Sequence, residues 1–181
     1  MITMSNRFWE SHIVRFTICA SLILVVLIIP VSAATIDISL GGTPPTNWAM
    51  KPGNNMNDTV TLTVTVSPDA TGWTVKVKDN SNNGKPQSYA GRMVEWDGAQ
   101  YVSNPKVLGS NLSVQGGTGT GYTGLLVSAL DNNNQDIVTS STTGTFSNIP
   151  ITYRQTLAYT DPHLTTDHSY QIIITYTGGV S

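Results

Sequence analysis

Asp161, His163, Asp167 and His168 fall within eight residues, and two imidazoles with a carboxylate are a donor set that zinc or another transition ion accepts. Their spacing matches no established metal motif. The competing reading is a solvated loop in which Asp161-Pro162 opens a turn and Asp167 or Ser169 caps backbone groups. A second oxygen-rich stretch, Asp79-Asn80-Ser81-Asn82-Asn83-Gly84, follows the first half of a calcium loop: oxygen donors alternate from Asp79 to Asn83 and glycine is sixth. Its twelfth position is Ala90, where such a loop needs a bidentate carboxylate, so a hairpin end is the default reading. Residues 131–136 hold a similar run without the glycine. No cofactor is expected.

Glu95 and Asp97 are two residues apart, which on a strand turns both carboxylates to one face. A glycosidase sets such a pair about 5 to 9 Å apart across the scissile bond. No nucleophile, base and cleft are recognisable together with them, so the chain reads as non-enzymatic and the pair as neighbours on an exposed strand. The run Gly116-Gly117-Thr118-Gly119-Thr120-Gly121 lacks the lysine and following helix of a phosphate loop. Trp48, Tyr89, Trp96 and Tyr101 lie near turns or short strands, and flat rings on an uncharged surface stack on sugar faces while Asn and Thr bind hydroxyls. Burial beneath loops is the competing reading for these rings. Asn57-Asp58-Thr59 and Asn111-Leu112-Ser113 are N-glycosylation sequons.

The elements that must position these groups follow an export signal. Arg7, His12 and Arg15 flank an apolar run over residues 16–29 broken only by Thr17 and Ser21; Pro30 then interrupts any helix, and Val31-Ser32-Ala33 gives the small groups that a signal peptidase reads. Residues 1–33 are thus expected to be a cleaved signal peptide, with an uncleaved membrane anchor as the alternative, since a spanning helix needs about 20 apolar residues. The one cysteine, Cys19, lies inside that run, so the exported chain has no thiol and relies on its core rather than on disulfides. Residues 34–181 are expected to form a single domain. With Arg7 and Arg15 gone from nine basic residues, and Glu10 from eleven acidic ones, the net charge is −3. Lacking a basic stripe, the chain has no electrostatic support for a nucleic-acid partner.

Thr, Ser, Asn and Gly dominate the polar positions, a composition poor in helix formers. Alternation then marks strands: Ile36, Ile38 and Leu40; Val60, Leu62, Val64 and Val66; Trp73, Val75 and Val77. Residues 59–89 read as a meander whose turns are residues 67–72 and the Asn-Gly pair after Asp79. Residues 93–102 read either as a strand around Val94 and Trp96 or as a hairpin with its turn at Asp97-Gly98, and two further apolar segments over 107–114 and 125–130 occupy the middle. Residues 146–159 and 170–177 close the chain. The pattern predicts an all-β, antiparallel two-sheet sandwich of seven to nine strands. Ile38, Val60, Leu62, Val64, Trp73, Val75, Val77, Ile151, Tyr153, Leu157, Ile172 and Ile174 supply its core.

Asn47-Trp48, residues 72–79 (Gly-Trp-Thr-Val-Lys-Val-Lys-Asp), Gly91-Arg92-Met93, residues 155–161 and residues 170–177, in that order, resemble small exported β-sandwich proteins of archaeal cell surfaces. They are also similar to bacterial WxL-type surface domains, from which Trp73-Thr74-Val75 departs by its valine. The resemblance implies a secreted or cell-surface structural role. The partners it suggests are the chain itself, other surface proteins or surface polysaccharide, with a membrane involved only if the signal segment is retained. The first strand, followed by the Gly-, Pro- and Asn-rich residues 41–57, has enough slack to join a neighbour's sheet. Pairing within its own domain is the more frequent arrangement.

Overall fold

Val60, Leu62, Val64 and Val66 alternate with threonines because one face of their strand meets the core and the other meets water. The computed structural model, which describes residues 33–45, 48–80 and 84–181, buries all four. The described strands are, in chain order, β1 (Ile36–Gly42), β2 (Gly53–Val66), β3 (Trp73–Asp79), β4 (Arg92–Trp96), β5 (Val107–Asn111) and β6 (Ser113–Gly116). They continue as β7 (Thr123–Gly124), β8 (Leu126–Val127), β9 (Gln135–Ser140), β10 (Gly144–Leu157), β11 (Ser169–Gln171) and β12 (Ile174–Val180). Among the described residues a single 3-10 turn, Gln87–Tyr89, interrupts the β-structure. Residues 34–181 form one compact unit.

All pairings are antiparallel. A five-stranded sheet runs β1-β2-β10-β6-β8, a four-stranded sheet β12-β3-β9-β7, and a small third sheet β11-β4-β5. One hydrophobic cluster draws on all three, joining Val60, Leu62 and Val64 to Trp73, Val75 and Val77 and to Met93 and Leu108. Across it, the hydroxyls of Tyr153 on β10 and Tyr176 on β12 meet at 2.5 Å. The all-β antiparallel sandwich expected from alternation is the fold. The strand number is higher because two-residue strands leave no periodicity to read and because the third sheet splits off.

Two sequence expectations change. Residues 59–89 are not a meander: β2 and β3 belong to different sheets, and β3 pairs with β12 and β9. Val60, Leu62, Val64 and Val66 of β2 and Trp73, Val75 and Val77 of β3 are apolar inner positions, and facing each other across the core buries them more completely than lying side by side. Strand β9 was invisible because Ile137 and Val138 are adjacent rather than alternating. A register shift opposite Val75/Lys76 lets both become buried. Of the expected core, Ile38, Leu157, Ile172 and Ile174 are only partly buried and pack at its margin. Val66, Leu108, Leu112, Leu130, Ile137 and Ile149 take fully buried or nearly buried places instead.

β1 pairs with β2 along its whole length, from Ile36 opposite Val66 to Gly42 opposite Val60, so it lies in its own domain's sheet. The segment expected to be a signal peptide, except for Ala33, lies outside the described residues. Among the described residues no helix is long and apolar enough to cross a membrane.

Candidate functional site

The structure does not bring the metal candidates together. His163 and Asp167 are exposed, Asp167 with a left-handed backbone (φ 67°), while His168 turns inward. Among the described residues no group of three or more His, Cys, Asp or Glu side chains could hold a metal ion. Asp161 spends both carboxylate oxygens on backbone donors, Gly109 N–H at 2.8 Å and Ala158 N–H at 2.7 Å. It fastens the turn from Ala158 to Asp161.

Glu95 and Asp97 have separate duties. Asp97 accepts the N–H groups of Ala99 and Gln100, each at 2.8 Å, closing the turn between Trp96 and Tyr101 and holding its carboxyl below the usual range. Glu95 is buried at the middle of the small sheet. It accepts Lys106 N–H (3.0 Å) on one oxygen and Thr165 N–H (3.3 Å) and His168 Nδ1 (2.9 Å) on the other. The Lys106 bond above all, then those from His168 and Thr165, outweigh burial and pull the carboxyl down to about 2. A carboxylate so fully engaged is a structural anchor for residues 106 and 165–168.

Asp79 is not a calcium ligand in this fold, and Asn83 lies outside the described residues. The inward alternation of β3 (Trp73, Val75, Val77) ends on Asp79, and Lys85 from the following segment dives to meet it; both side chains are 0% exposed. Lys85 Nζ contacts Asp79 Oδ2 at 2.5 Å and donates to Arg92 C=O at 2.5 Å, while Gly91 N–H donates to the same Oδ2 at 2.7 Å. Burial lowers the Lys85 pKa, partly offset by Asp79. Asp79 Oδ1 and the Tyr101 hydroxyl are buried without a hydrogen-bond partner among the described residues. Burial and then the charge of Asp79 push the Tyr101 phenol up to about 12.

The four predicted stacking rings do not form one platform. Tyr101 is buried under Trp96, which meets it edge-on at 5.1 Å between ring centroids. Tyr89 sits half-buried in the 3-10 turn, away from the others' cavities. Trp48 and Trp96 do line a common cavity of about 500 Å³ with Met50, Tyr170, Ile172 and Tyr176. An adjoining cavity of about 620 Å³ shares Trp48, Met50 and Tyr170 and adds Tyr159, Asp161 and His163. A third, about 310 Å³, continues between Ile38 and Leu40 of β1 and Ile174 and Tyr176 of β12. The 500 and 310 Å³ cavities follow the seam between β1 and β12. Tyr170 was not read as a lining residue because its alternation with Ile172 and Ile174 shows only a strand; Tyr159, 90% exposed, lies past the last recognisable apolar position.

The sequons also separate. Asn111 Nδ2 donates to Leu130 C=O at 2.8 Å and its Oδ1 accepts Arg92 Nε–H at 3.4 Å, so the side chain braces β5 against neighbouring loops. Asn57 is half-exposed on β2, with Oδ1 accepting Thr59 N–H at 3.4 Å. No protein-family model, curated protein or solved structure matches the chain.

Proposed function

We propose that this chain is an exported, non-enzymatic protein of the cell surface or extracellular space, with a structural role exercised through strand-edge contacts with copies of itself or with other surface proteins. One observation carries the reading. β1 and β12 are each one edge of one of the two larger sheets, they border the same apolar seam, and their fourteen residues include one charged side chain, Asp37. Exposed edges are normally blunted by lysine, proline or bulges because their free N–H and C=O groups template pairing with another chain. Edges of this length with a single charge between them beside an apolar trench suit addition of an extended segment, with backbone bonds giving affinity and the trench giving side-chain selection. The signal-like segment and the resemblance to exported surface sandwiches support the location.

The test is retention of the secreted chain on its own cell envelope, compared with Thr177→Lys, which sets a charge on the exposed face of β12. Reduced retention of a folded variant is expected. Equal retention would sink the reading.

A second reading, binding of surface polysaccharide, is favoured by Trp48, Trp96 and Tyr170 lining joined cavities. A glycan array with wild type and Trp48→Ala separates the two. Glycan binding lost on Trp48→Ala but kept in Thr177→Lys would place the function in the rings, not the edge.

A further inference from the structure

Lys85 is a loop lysine with no exposed side-chain area, a rare condition for the residue type that is almost never fully buried without a partner. Its partner is a carboxylate that is equally dry, six residues earlier in the chain. Removing both charges from water is costly, and their attraction offsets that cost only when every remaining lone pair and proton is satisfied. Here one is not: Asp79 Oδ1 has no partner among the described residues.

We propose that in the folded protein Lys85 and Asp79 are joined covalently, by an intramolecular amide between Lys85 Nζ and Asp79 Cγ. The contact between Nζ and Oδ2 sets the nitrogen against the carboxyl group, and the ammonium gives up one proton to the carboxylate on Oδ1, the oxygen without a partner, which leaves Oδ2 to Gly91 N–H. The amine lone pair adds to Cγ, the C–Oδ1 bond breaks, and Oδ1 leaves as water with two of the three protons that Nζ first carried. The third stays on the amide nitrogen. Nothing is oxidised or reduced and no further reactant is needed.

Three features of the site suit this step. Gly91 N–H on Oδ2 stands where negative charge develops as the nitrogen adds. Burial lowers the Lys85 pKa and so favours the nucleophilic neutral amine. The two groups are held together for the lifetime of the fold, which replaces an encounter by a permanent approach. The product also resolves the local hydrogen bonding. The amide N–H keeps its acceptor at Arg92 C=O, the amide C=O keeps its donor at Gly91, and the unpartnered oxygen is gone. A chain without cysteine in its exported part would thereby gain a covalent staple at the end of β3.

The experiment is mass spectrometry of the folded, secreted chain, with its amino terminus established by sequencing, followed by amine acylation in denaturant. The expected result is a mass lower than the sequence mass by one water, with Lys51, Lys76, Lys78 and Lys106 acylated and Lys85 not. Peptide fragmentation should give no breaks that separate Asp79 from Lys85. Because Lys85-Pro86 resists trypsin in any case, the digest is chymotryptic. Lys85→Arg and Asp79→Ala should both restore the full sequence mass, and Asp79→Asn should lose ammonia in place of water. A wild-type chain at full mass with Lys85 acylated would overturn the proposal. So would a water loss that hydroxylamine converts to a hydroxamate with Lys85 acylated, since that identifies a succinimide at Asp79-Asn80.

Discussion

His168 Nδ1 lies 2.9 Å from Glu95 Oε1, so the residue that precedes β11 is tied to the centre of β4 by a side-chain bond as well as by the strand pairing of Tyr170 with Glu95. The same carboxylate holds Lys106 and Thr165 by their backbone N–H groups. Glu95 therefore sets where the lining of the two larger cavities sits, because Ser169 and Tyr170 follow directly.

The pH dependence follows from its sign. A glutamate is near 4.3 when unfolded and is held at about 2 here. A depressed folded pKa gives stability that is present above the unfolded value and is lost as pH falls through the folded one. The melting temperature should drop between about pH 5 and pH 2, followed by circular dichroism. Glu95→Gln should be less stable at neutral pH and should show a flatter profile over that interval.

Trp73 is 2% exposed, packs against Phe146 at 5.1 Å and donates its indole N–H to Thr142 C=O at 2.8 Å. Trp73→Ala should cost about 3 to 5 kcal/mol in denaturant titrations. Trp73→Phe should cost less, with the lost hydrogen bond contributing about 1 kcal/mol. A Trp73→Ala chain of unchanged stability would contradict the packing described.

Gly91 has φ +77°, and a Cβ there would lie 1.6 Å from Leu130 C=O. Its N–H also holds Asp79. Gly91→Ala should therefore destabilise by more than the roughly 1 kcal/mol of an ordinary left-handed glycine replacement, measured by the same titration. Gly98→Ala, at φ +99° with open space around its Cβ, is the control that carries backbone strain alone.

Produced in a host that glycosylates exported proteins, the chain should carry glycan at Asn57 and not at Asn111. A sugar on Asn111 Nδ2 would displace its bond to Leu130 C=O and leave that carbonyl unpaired. Asn57→Gln should remove the glycan mass, whereas Asn111→Gln should remove none and should lower stability.

The inner faces of β2, β3 and β10 were legible because period two survives wherever one face is buried and the other wet. Ile137-Val138 was not, since a bulge erases the alternation that would have announced β9. The chemistry of single residues was less legible still. Asp79 looked like the start of an oxygen-rich loop, and nothing in the spacing said that Lys85 would reach it inside the core. Its one local sign is the inward phase of Trp73, Val75 and Val77, which lands on an aspartate. Likewise His168 was grouped with Asp167 and His163 by sequence proximity, and the fold sends it to a carboxylate 73 positions away.

The central claim, that the seam between β1 and β12 is a surface for pairing with another chain, is tested most directly by amide hydrogen exchange. The secreted chain is compared in dilute solution and bound to its own cell envelope. Backbone amides in Ile36–Gly42 and Ile174–Val180 should exchange markedly more slowly in the bound state, with β2 and β10 unchanged. Identical exchange of both edges in the two states, in a chain that stays monomeric at high concentration, would contradict the account.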